Sequence, residues 1–384
     1  MSIDFNTVRQ YNFPTTIRFG AGAVNELAPH MMAMGLSKPL IVTDPTVAGL
    51  EFFEKIKRDL RDKGISVEVF SEIHKNPVKS DVLKGGDIYK WFDRNSIIGI
   101  GGGAAMDVAR AIALHINHHR DLFDYDDLIG GDQYVTESVP YFITIPTTSG
   151  TGSEVGRSAI ISEDDTHRKR ILFSPKLLAK IVFADPLLTM DLPHFVTAAT
   201  GMDALTHNLE AYLARGFNPM CDGIALEGIA LINESIKTAV NKPNLESRSK
   251  MMIASLMGAV AFQKGLGVVH SMAHPLSSLL DTHHGLANAV SLPFGMNFNI
   301  EGQEDKFRNI ARAMQLKKKT GKAVVAHIRS LNKKIGMPSS LGMLGVTSEH
   351  LETLADLAFA DFCHLNNPKP VLRHQFKELY EEAL

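Results

Sequence analysis

The distribution of β-branched runs along the chain constrains its fold more than any other feature. Five such runs precede residue 192: PLIVTD (39–44), ISVEVFS (65–71), SIIGIGGG (96–103), YFITIP (141–146) and AKIVFAD (179–185). They alternate with helical patterns, which is typical of a parallel sheet covered by helices. After Pro193 these runs disappear, and long stretches carry apolar residues at helical spacing. We therefore predict an α/β domain with a parallel sheet over residues 1–192 and an all-α domain over residues 193–384.

Length and composition agree with two domains and exclude several classes of partner. A chain of 384 residues is longer than one compact core usually is. Its 40 basic and 42 acidic side chains give a net charge of -2, too small a field to attract nucleic acid or an anionic membrane. The first twenty residues are polar and charged, and no later apolar run approaches the roughly 18 residues of a membrane span. Only Cys221 and Cys363 carry thiols, which favours a reducing compartment. We expect a soluble cytoplasmic protein.

Two loops in the first half are suited to a phosphorylated ligand. Gly101, Gly102 and Gly103 lie between a predicted strand and a predicted helix, so backbone amides and the positive helix end meet there. A second loop, IPTTSGTGSE, follows another strand and places hydroxyl groups among glycines. Neither loop has the usual dinucleotide spacing, and the acidic candidate Asp44 precedes the glycine loop instead of following it. Tight turns without a ligand remain the alternative.

The second half contains a concentration of imidazoles among few charges. Asp203 and His207 lie four residues apart in a helical pattern, hence about one turn apart on one face. His270 and His274 repeat that spacing. One carboxylate with three neutral imidazoles suits iron(II) or zinc(II) and leaves the ion Lewis acidic. For any single histidine, a hydrogen-bonded or surface residue is the alternative.

The chain is also predicted to turn before the last two histidines of this region. Pro275 and the stretch DTHHG, which contains His283 and His284, are expected to interrupt the helix that carries His270. Such a turn would allow His284 to approach the same ion.

Four motifs in this order resemble those of the iron-dependent (group III) alcohol dehydrogenases. They are GGGAAMDVAR, IPTTSGTGSE, GMDALTHNLEAY and VVHSMAHPLSSLLDTHHGLANAVSLP. The resemblance extends to IRFGAGAVNEL near the start and to GMPSSLGMLGV and DFCHLNNPKP near the end, so it covers nearly the whole chain. It implies a dinucleotide-binding α/β domain, a helical metal-binding domain of the dehydroquinate synthase-like architecture, and catalysis in the cleft between them.

The resemblance also implies particular site residues, a cofactor and an assembly. The implied metal ligands are Asp203, His207, His270 and His284, with His274 left in the site as the candidate for proton relay or nicotinamide positioning. The implied cofactor contacts, together with the glycine loop, are Asp44, Asn76, Gly102, Gly103, Ala104, Ala105, Met106, Asp107, Thr147, Thr148, Ser149, Gly150, Thr151, Ile160 and Lys169. We expect NAD as cofactor, iron(II) as metal with zinc(II) as the alternative, an alcohol or aldehyde as substrate, and a homodimer.

The chain departs from the family pattern at several positions. Ala104 and Arg110 stand where a serine and a lysine are common, so one hydroxyl contact to the phosphates is lost. Phe294 stands where a histidine is frequent, and His283 where a proline is. We expect both of these changes near the substrate, so no particular member's substrate is carried over.

Two other classes of protein fit parts of the pattern. Glycerol dehydrogenases and dehydroquinate synthases look similar in architecture, but their ligand sets resemble one carboxylate with two histidines, one histidine fewer than this sequence offers. A cofactor-binding protein with a vestigial site is the non-enzymatic alternative, and intact candidates at all four ligand positions argue against it.

Asp44 predicts the choice between nicotinamide cofactors. At the end of the run PLIVTD, a carboxylate can accept hydrogen bonds from an adenosine ribose but would repel a 2′-phosphate. IVTDPTVAGL contains no Arg or Lys to offset that repulsion. We therefore expect NAD to be preferred over NADP. The alternative is that Asp44 only caps the helix that begins after it.

Overall fold

The computed structural model describes Phe13 and residues 15–384, which divide into two compact units. The α/β unit contains residues 15–148 and Gly152–Asp191. The helical unit contains Phe13, Ser149–Thr151 and Leu192–Leu384. The prediction of a polar N-terminus without an apolar leader falls mostly on residues 1–12 and 14, which lie outside the described residues. The functional division of the chain at residues 192 and 193 stays a prediction.

The α/β unit is built on a parallel sheet of six strands in the order β1-β8-β5-β4-β2-β3, with a separate antiparallel pair, β6 and β7. The strands are β1 (Thr16–Phe19), β2 (Pro39–Val42), β3 (Glu68–Phe70), β4 (Ser96–Gly101), β5 (Tyr141–Pro146), β6 (Ser158–Ser162), β7 (Lys169–Phe173) and β8 (Ile181–Ala184). The helices of this unit are α1 (Leu27–Ala33), α2 (Pro45–Ala48), α3 (Glu51–Arg61), α4 (Lys79–Trp91) and α5 (Gly103–Asn117). Short 3-10 helices are Ala23–Glu26, Leu122–Tyr125, Asp127–Ile129, Gly131–Tyr134, Ser153–Val155, Pro175–Leu177 and Pro186–Thr189. Each of the five predicted runs contains a strand, so the predicted parallel sheet is confirmed.

Helices cover both faces of this sheet. Neighbouring residues of β4 point to opposite sides: Ile97 packs into the core that includes α4 and α5, whereas Ile98 packs into the core that includes α1 and α3. This double burial explains why the strand sequences are continuously apolar instead of alternating.

The helical unit is formed by nine α-helices within the described residues. They are α6 (His194–Leu213), α7 (Pro219–Asn241), α8 (Leu245–Ala261), α9 (Val268–Leu280), α10 (His284–Phe298), α11 (Glu304–Ala313), α12 (Gly321–Lys334), α13 (Leu351–Ala360) and α14 (Arg373–Ala383). Four 3-10 helices, Phe262–Lys264, Gly342–Leu344, Ser348–His350 and Cys363–Asn366, lie between them. Every residue of α6 from Thr197 to Leu213 is buried, so α6 is the central helix of this unit.

Pro275 does not interrupt α9, contrary to the prediction. The helix continues through Pro275 to Leu280, and the proline ring is buried in the helical unit. Apolar burial of the ring therefore accompanies the loss of one backbone hydrogen bond. The turn comes at Asp281, the first residue of the predicted DTHHG stretch, so that half of the prediction is confirmed. The φ of Asp281, 50°, is left-handed, a conformation that Asp tolerates better than most residues.

Among the described residues, no single helix is long and apolar enough to cross a membrane. One bent pair, Leu245–Lys264 with Val268–Leu280 at 107°, passes the same test by length and composition only.

Candidate metal and cofactor sites

Four polar side chains converge inside the helical unit around one carboxylate. Oδ1 of Asp203 lies 3.5 Å from Nε2 of His284, 3.8 Å from Nε2 of His207 and 3.9 Å from Nε2 of His270. The four potential ligand atoms all lie within 4.8 Å of one another. Asp203, His207 and His270 are buried, and His284 is partly buried. The structure thus brings the four predicted ligands together.

Helix geometry accounts for this convergence. Asp203 and His207 lie on successive turns of α6 and on the same face, as their spacing predicts. His270 is in the first turn of α9, and His284 is the first residue of α10. Helix α10 can begin close to α6 because Gly285 has no side chain: a Cβ built there would lie 2.3 Å from the carbonyl oxygen of Ala199.

The electrostatics of the four groups fit a divalent ion. Burial would raise the pKa of Asp203, but the neighbouring imidazoles and the amide of Asn288 lower it to about 2, so the carboxylate is ionised at neutral pH. Burial holds the pKa of His270 well below its usual value, which leaves the neutral imidazole that metals bind. One carboxylate and three imidazoles form a donor set suited to iron(II) or zinc(II).

Glu210, which the sequence analysis missed, holds the ring of His270. Its Oε2 lies 2.6 Å from Nδ1 of His270, while its Oε1 accepts the backbone N–H of Val269 at 2.7 Å. Oε2 also accepts the backbone N–H of His270 at 3.3 Å. The carboxylate therefore accepts from backbone N–H groups that have no partner within α9, and it also fixes the tautomer of His270, leaving Nε2 for a metal.

The close approach of Glu210 to α9 requires a glycine. A Cβ built on Gly267 would lie 2.9 Å from Oε1 of Glu210 and 2.8 Å from Oδ1 of Asn367. Burial raises the pKa of Glu210 to about 7, and the backbone N–H groups around it oppose that rise. Glu210 lies seven residues after Asp203, a helical spacing that could have indicated it.

Asn288 was also missed, although it follows His284 by one helical turn. Its Nδ2 lies 2.7 Å from Oδ1 of Asp203, 3.1 Å from Nε2 of His284 and 3.3 Å from Nε2 of His270. Over the part of the chain that is described, Oδ1 of Asn288 and Nδ1 of His207 are buried without a hydrogen-bond partner. Asn288 thus contacts the potential ligand atoms of Asp203, His270 and His284.

His274 lies beside the four-donor cluster and is held by another carboxylate. Its ring stacks on that of His284, with centroids 5.4 Å apart, and its Nδ1 lies 2.7 Å from Oδ2 of Asp361. Burial opposes ionisation of Asp361, but His274 and the hydrogen bonds from Ser271 and Cys363 outweigh it and hold the pKa of Asp361 well below its usual range.

In the α/β unit, predicted cofactor segments follow the carboxyl ends of three neighbouring strands, β2, β4 and β5. Asp44 follows β2 and caps α2, its Oδ1 accepting the backbone N–H groups of Thr46 and Val47 at 2.9 Å. Asp44 therefore caps α2 through Oδ1, as the alternative interpretation predicts. Oδ2 faces the glycine loop, because a Cβ built on Gly101 would lie 3.3 Å from it.

The glycine loop and the first part of the threonine loop are in contact. Helix α5 begins at Gly103 directly after β4, as predicted. The backbone N–H of Thr147 donates to the carbonyl of Gly101 at 3.0 Å, and a Cβ built on Gly102 would lie 3.4 Å from Oγ1 of Thr148. Ala104, Ala105 and Met106 occupy the first turn of α5.

The rest of the threonine loop belongs to the helical unit. A Cβ built on Gly150 would lie 2.7 Å from Cβ of Thr200, so this loop is pressed against α6. Ser149 is buried and Thr151 is partly buried.

Arg110, a departure from the family pattern, is fully buried and connects several predicted cofactor residues. It donates to Oδ1 of Asp107 at 3.2 Å and to Oγ of Ser153 at 2.9 Å. Oδ2 of Asp107 accepts the backbone N–H of Ile160 at 3.2 Å, and Lys169 acts electrostatically on the same carboxyl group. The guanidinium thus ties α5 to the segment that leads into β6.

Three further positions are Asn76, His283 and Phe294. Asn76 is partly buried in the loop between β3 and α4, and His283 is the residue before α10. Phe294 lies ten residues after His284, about 15 Å along an ideal helix, and it packs in the helical core under the guanidinium of Arg329 at 4.5 Å. The expectation that Phe294 is near the substrate stays a prediction.

Comparison with known proteins agrees with these features. The family model described as iron-containing alcohol dehydrogenase matches residues 14–186, and the model of the family's C-terminal region matches residues 197–384. The 4-hydroxybutyrate dehydrogenase of Cupriavidus necator is 36% identical over 380 residues, covering 96% of this chain and 98% of the relative.

Solved structures agree as well. A 1,3-propanediol oxidoreductase superposes with a TM-score of 0.94 at 32% identity, covering 98% of this chain and 100% of the other. A sulfoacetaldehyde reductase from Bifidobacterium kashiwanohense, solved in complex with NAD+, gives 0.87 at 28% identity, covering 98% and 99%.

A parallel α/β unit and a helical unit with a buried carboxylate–imidazole cluster define the class of the protein as a metal-dependent dehydrogenase. The chain belongs to the iron-containing alcohol dehydrogenase family. It is an oxidoreductase that transfers a hydride between a nicotinamide cofactor and an alcohol–carbonyl pair. The match favours this function over the glycerol dehydrogenase-like, dehydroquinate synthase-like and non-enzymatic alternatives.

Proposed function

We propose that the protein is an NAD-dependent alcohol dehydrogenase whose catalytic ion is held by Asp203, His207, His270 and His284. The observation that carries the proposal is the convergence of these four donor atoms within 4.8 Å inside the helical unit. Iron(II) is the proposed metal, with zinc(II) as the alternative, because both accept this donor set. When bound, such an ion supplies a Lewis acid that lowers the pKa of an alcohol and stabilises the developing alkoxide charge.

The residues around that ion have separate tasks. Glu210 keeps the Nδ1 proton of His270, so that Nε2 remains available as a ligand atom. His274 is not a ligand in this proposal: it relays the alcohol proton towards solvent or positions the nicotinamide. A partly exposed ring beside the four-donor cluster supports this role, since its side chain retains 25% of its exposure.

Residues 1–192 are proposed to bind the dinucleotide, and residues 193–384 to hold the metal. Gly102 and Gly103 offer backbone N–H groups at the start of α5 to the pyrophosphate. Thr147 to Thr151 add hydroxyl and backbone donors, while Asp107, Ile160 and Lys169 form the network around Arg110. Asp44 accepts from the ribose through Oδ2, and Asn76 completes the set.

The proposed substrate is a small primary alcohol or the corresponding aldehyde. Two of the similar proteins are named after primary alcohols, 4-hydroxybutyrate and 1,3-propanediol. A cytoplasmic homodimer is the proposed assembly.

Metal reconstitution tests the proposal. The protein is purified without oxygen, loaded with iron(II), zinc(II), manganese(II) or nickel(II), and assayed for NADH formation with alcohols of increasing length, 1,3-propanediol and 4-hydroxybutyrate. We expect turnover only in loaded protein and the highest rate with iron(II). Full activity in metal-stripped protein would contradict the proposal.

A further inference from the structure

Asp361 is the first residue of the motif DFCHLNNPKP, but it has been given no role, and it is not one of the four clustered donors. It follows α13 directly, and its side chain retains only 11% of its exposure. We propose that Asp361 is a positioning residue for His274: it holds the proton on Nδ1, so that Nε2 of the ring is the acceptor during turnover. The inference rests on the proton-relay role proposed for His274.

Three donors fix the carboxylate of Asp361. Its Oδ2 lies 2.7 Å from Nδ1 of His274. Its Oδ1 accepts the hydroxyl of Ser271 at 2.6 Å and the backbone N–H of Cys363 at 2.9 Å. The Ser271 hydroxyl in turn accepts the backbone N–H of His364 at 2.9 Å. Since Oδ1 is already held by two donors, Oδ2 is the oxygen that faces the imidazole.

This arrangement selects one tautomer of His274. A neutral imidazole carries a single proton, and a carboxylate facing Nδ1 places it there. The ring is further confined by stacking on His284, at 5.4 Å and 21°, and by an edge contact with His270, at 5.8 Å and 70°. Because the two nitrogens lie on different sides of the ring, Nε2 is left to accept a proton.

The same groups also have the composition of a small metal site. One donor atom each from His274, Asp361 and Cys363 lies within 4.8 Å of the others. The contacts favour a hydrogen-bonded network, because both oxygens of Asp361 already accept hydrogen bonds. Burial also raises the pKa of the Cys363 thiol well above its usual value, which opposes the thiolate that a metal requires.

Replacing Asp361 with asparagine should move the ring proton of His274 while keeping the shape of the side chain at position 361. Ser271 and the backbone of Cys363 both donate, so they retain the amide oxygen. The amide nitrogen then faces Nδ1 of His274 as a donor and forces the ring proton to Nε2. We expect Asp361→Asn to keep one metal per chain and to lower kcat about 10–100-fold, with KM within about threefold.

A double-mutant cycle separates positioning from general structural damage. His274→Ala, Asp361→Asn and the double variant are compared in the iron(II)-loaded enzyme, with Asp305→Asn as control because Asp305 is 87% exposed and paired only on the surface with Arg308. We expect Asp361→Asn to lower kcat in the parent and to have no further effect once His274 is removed. Asp361→Glu should recover part of the loss.

Nitrogen NMR of the zinc-loaded protein with labelled histidine gives a readout that does not depend on turnover. His274 should carry its proton on Nδ1 in the parent enzyme and on Nε2 in Asp361→Asn.

Each other outcome is decisive. A parent enzyme with the proton on Nε2, an equal loss of kcat in both backgrounds, or a second stoichiometric metal that Asp361→Asn removes would overturn the inference. If His274→Ala alone retains full kcat, it is the role proposed for His274 that fails.

Discussion

Replacing Glu210 with glutamine should weaken metal binding without removing a ligand. The parent carboxylate accepts both from the backbone N–H of Val269 at 2.7 Å and from Nδ1 of His270 at 2.6 Å. A glutamine offers only one oxygen, and if that oxygen serves the start of α9, the amide nitrogen faces Nδ1 as a second donor. The ring must then move its proton to Nε2, the atom proposed to bind the metal.

The size of the effect follows from the interaction that is lost. To bind the metal in the variant, His270 must return its proton to Nδ1, where it lacks the hydrogen bond to a charged carboxylate that the parent ring makes and that is worth about 1.5–3 kcal/mol. We therefore expect the dissociation constant of the metal to rise by roughly 10–150-fold.

Competition with a chromophoric chelator measures this constant directly. Zinc(II) and cobalt(II) avoid the oxidation of iron(II), and Glu234→Gln is the control because Glu234 is 55% exposed and pairs with Lys250 on the surface. Thermal melting of the metal-free proteins should accompany the titration, because the substitution also alters the cap of α9. A folded Glu210→Gln protein with a metal affinity within about threefold of the parent would refute this reasoning.

Three further predictions concern the other groups. His270→Ala and His284→Ala should each abolish metal retention and turnover while leaving NAD binding largely intact, as metal analysis and cofactor titration would report; retained metal in both variants would contradict the ligand assignment. Asp44→Gly should lower the preference for NAD over NADP in kcat/KM by at least about tenfold, and Asp44→Asn, which keeps a side-chain cap, should shift the preference in the same direction; an unchanged ratio would assign Asp44 to capping alone. Burial raises the pKa of Glu154 to about 7, against the opposing charge of Arg110. The contribution of Glu154 to the free energy of unfolding is therefore complete at low pH and is lost as the pH rises through 7. The free energy of unfolding of Glu154→Gln, measured in urea, should rise relative to that of the parent by about 1–3 kcal/mol between pH 5 and pH 8. A constant difference between the two proteins would show that Glu154 does not titrate in this range.

Features that depend on local periodicity could be predicted from the sequence. The strands that precede Asp44, Gly102 and Thr147 were found because buried parallel strands are continuously apolar. Asp203 and His207 were placed on one helical face by their spacing alone. In contrast, β1 and the β6–β7 pair were missed, because these short strands carry polar residues and have no strong apolar pattern.

Contacts between distant segments could not be predicted from spacing. Glu210 meets His270 across 60 residues, and Asp361 meets His274 across 87. Helix packing alone determines these distances. The prediction for Pro275 was wrong for a related reason. Pro275 is buried inside the helical unit and α9 continues through it, and that burial cannot be read from the sequence.

Helix α6 carries Asp203, His207 and Glu210 on adjacent turns, so the number of residues between them is as constrained as their identity. Each residue advances the helix by about 100°, so one codon gained or lost between positions 203 and 207 would swing the residues beyond it away from the site. Since α6 is buried on every side from Thr197 to Leu213, no looser exterior face can absorb the change. Descendants of this gene should therefore differ within this segment by substitution, while insertions and deletions accumulate in the connections between helices.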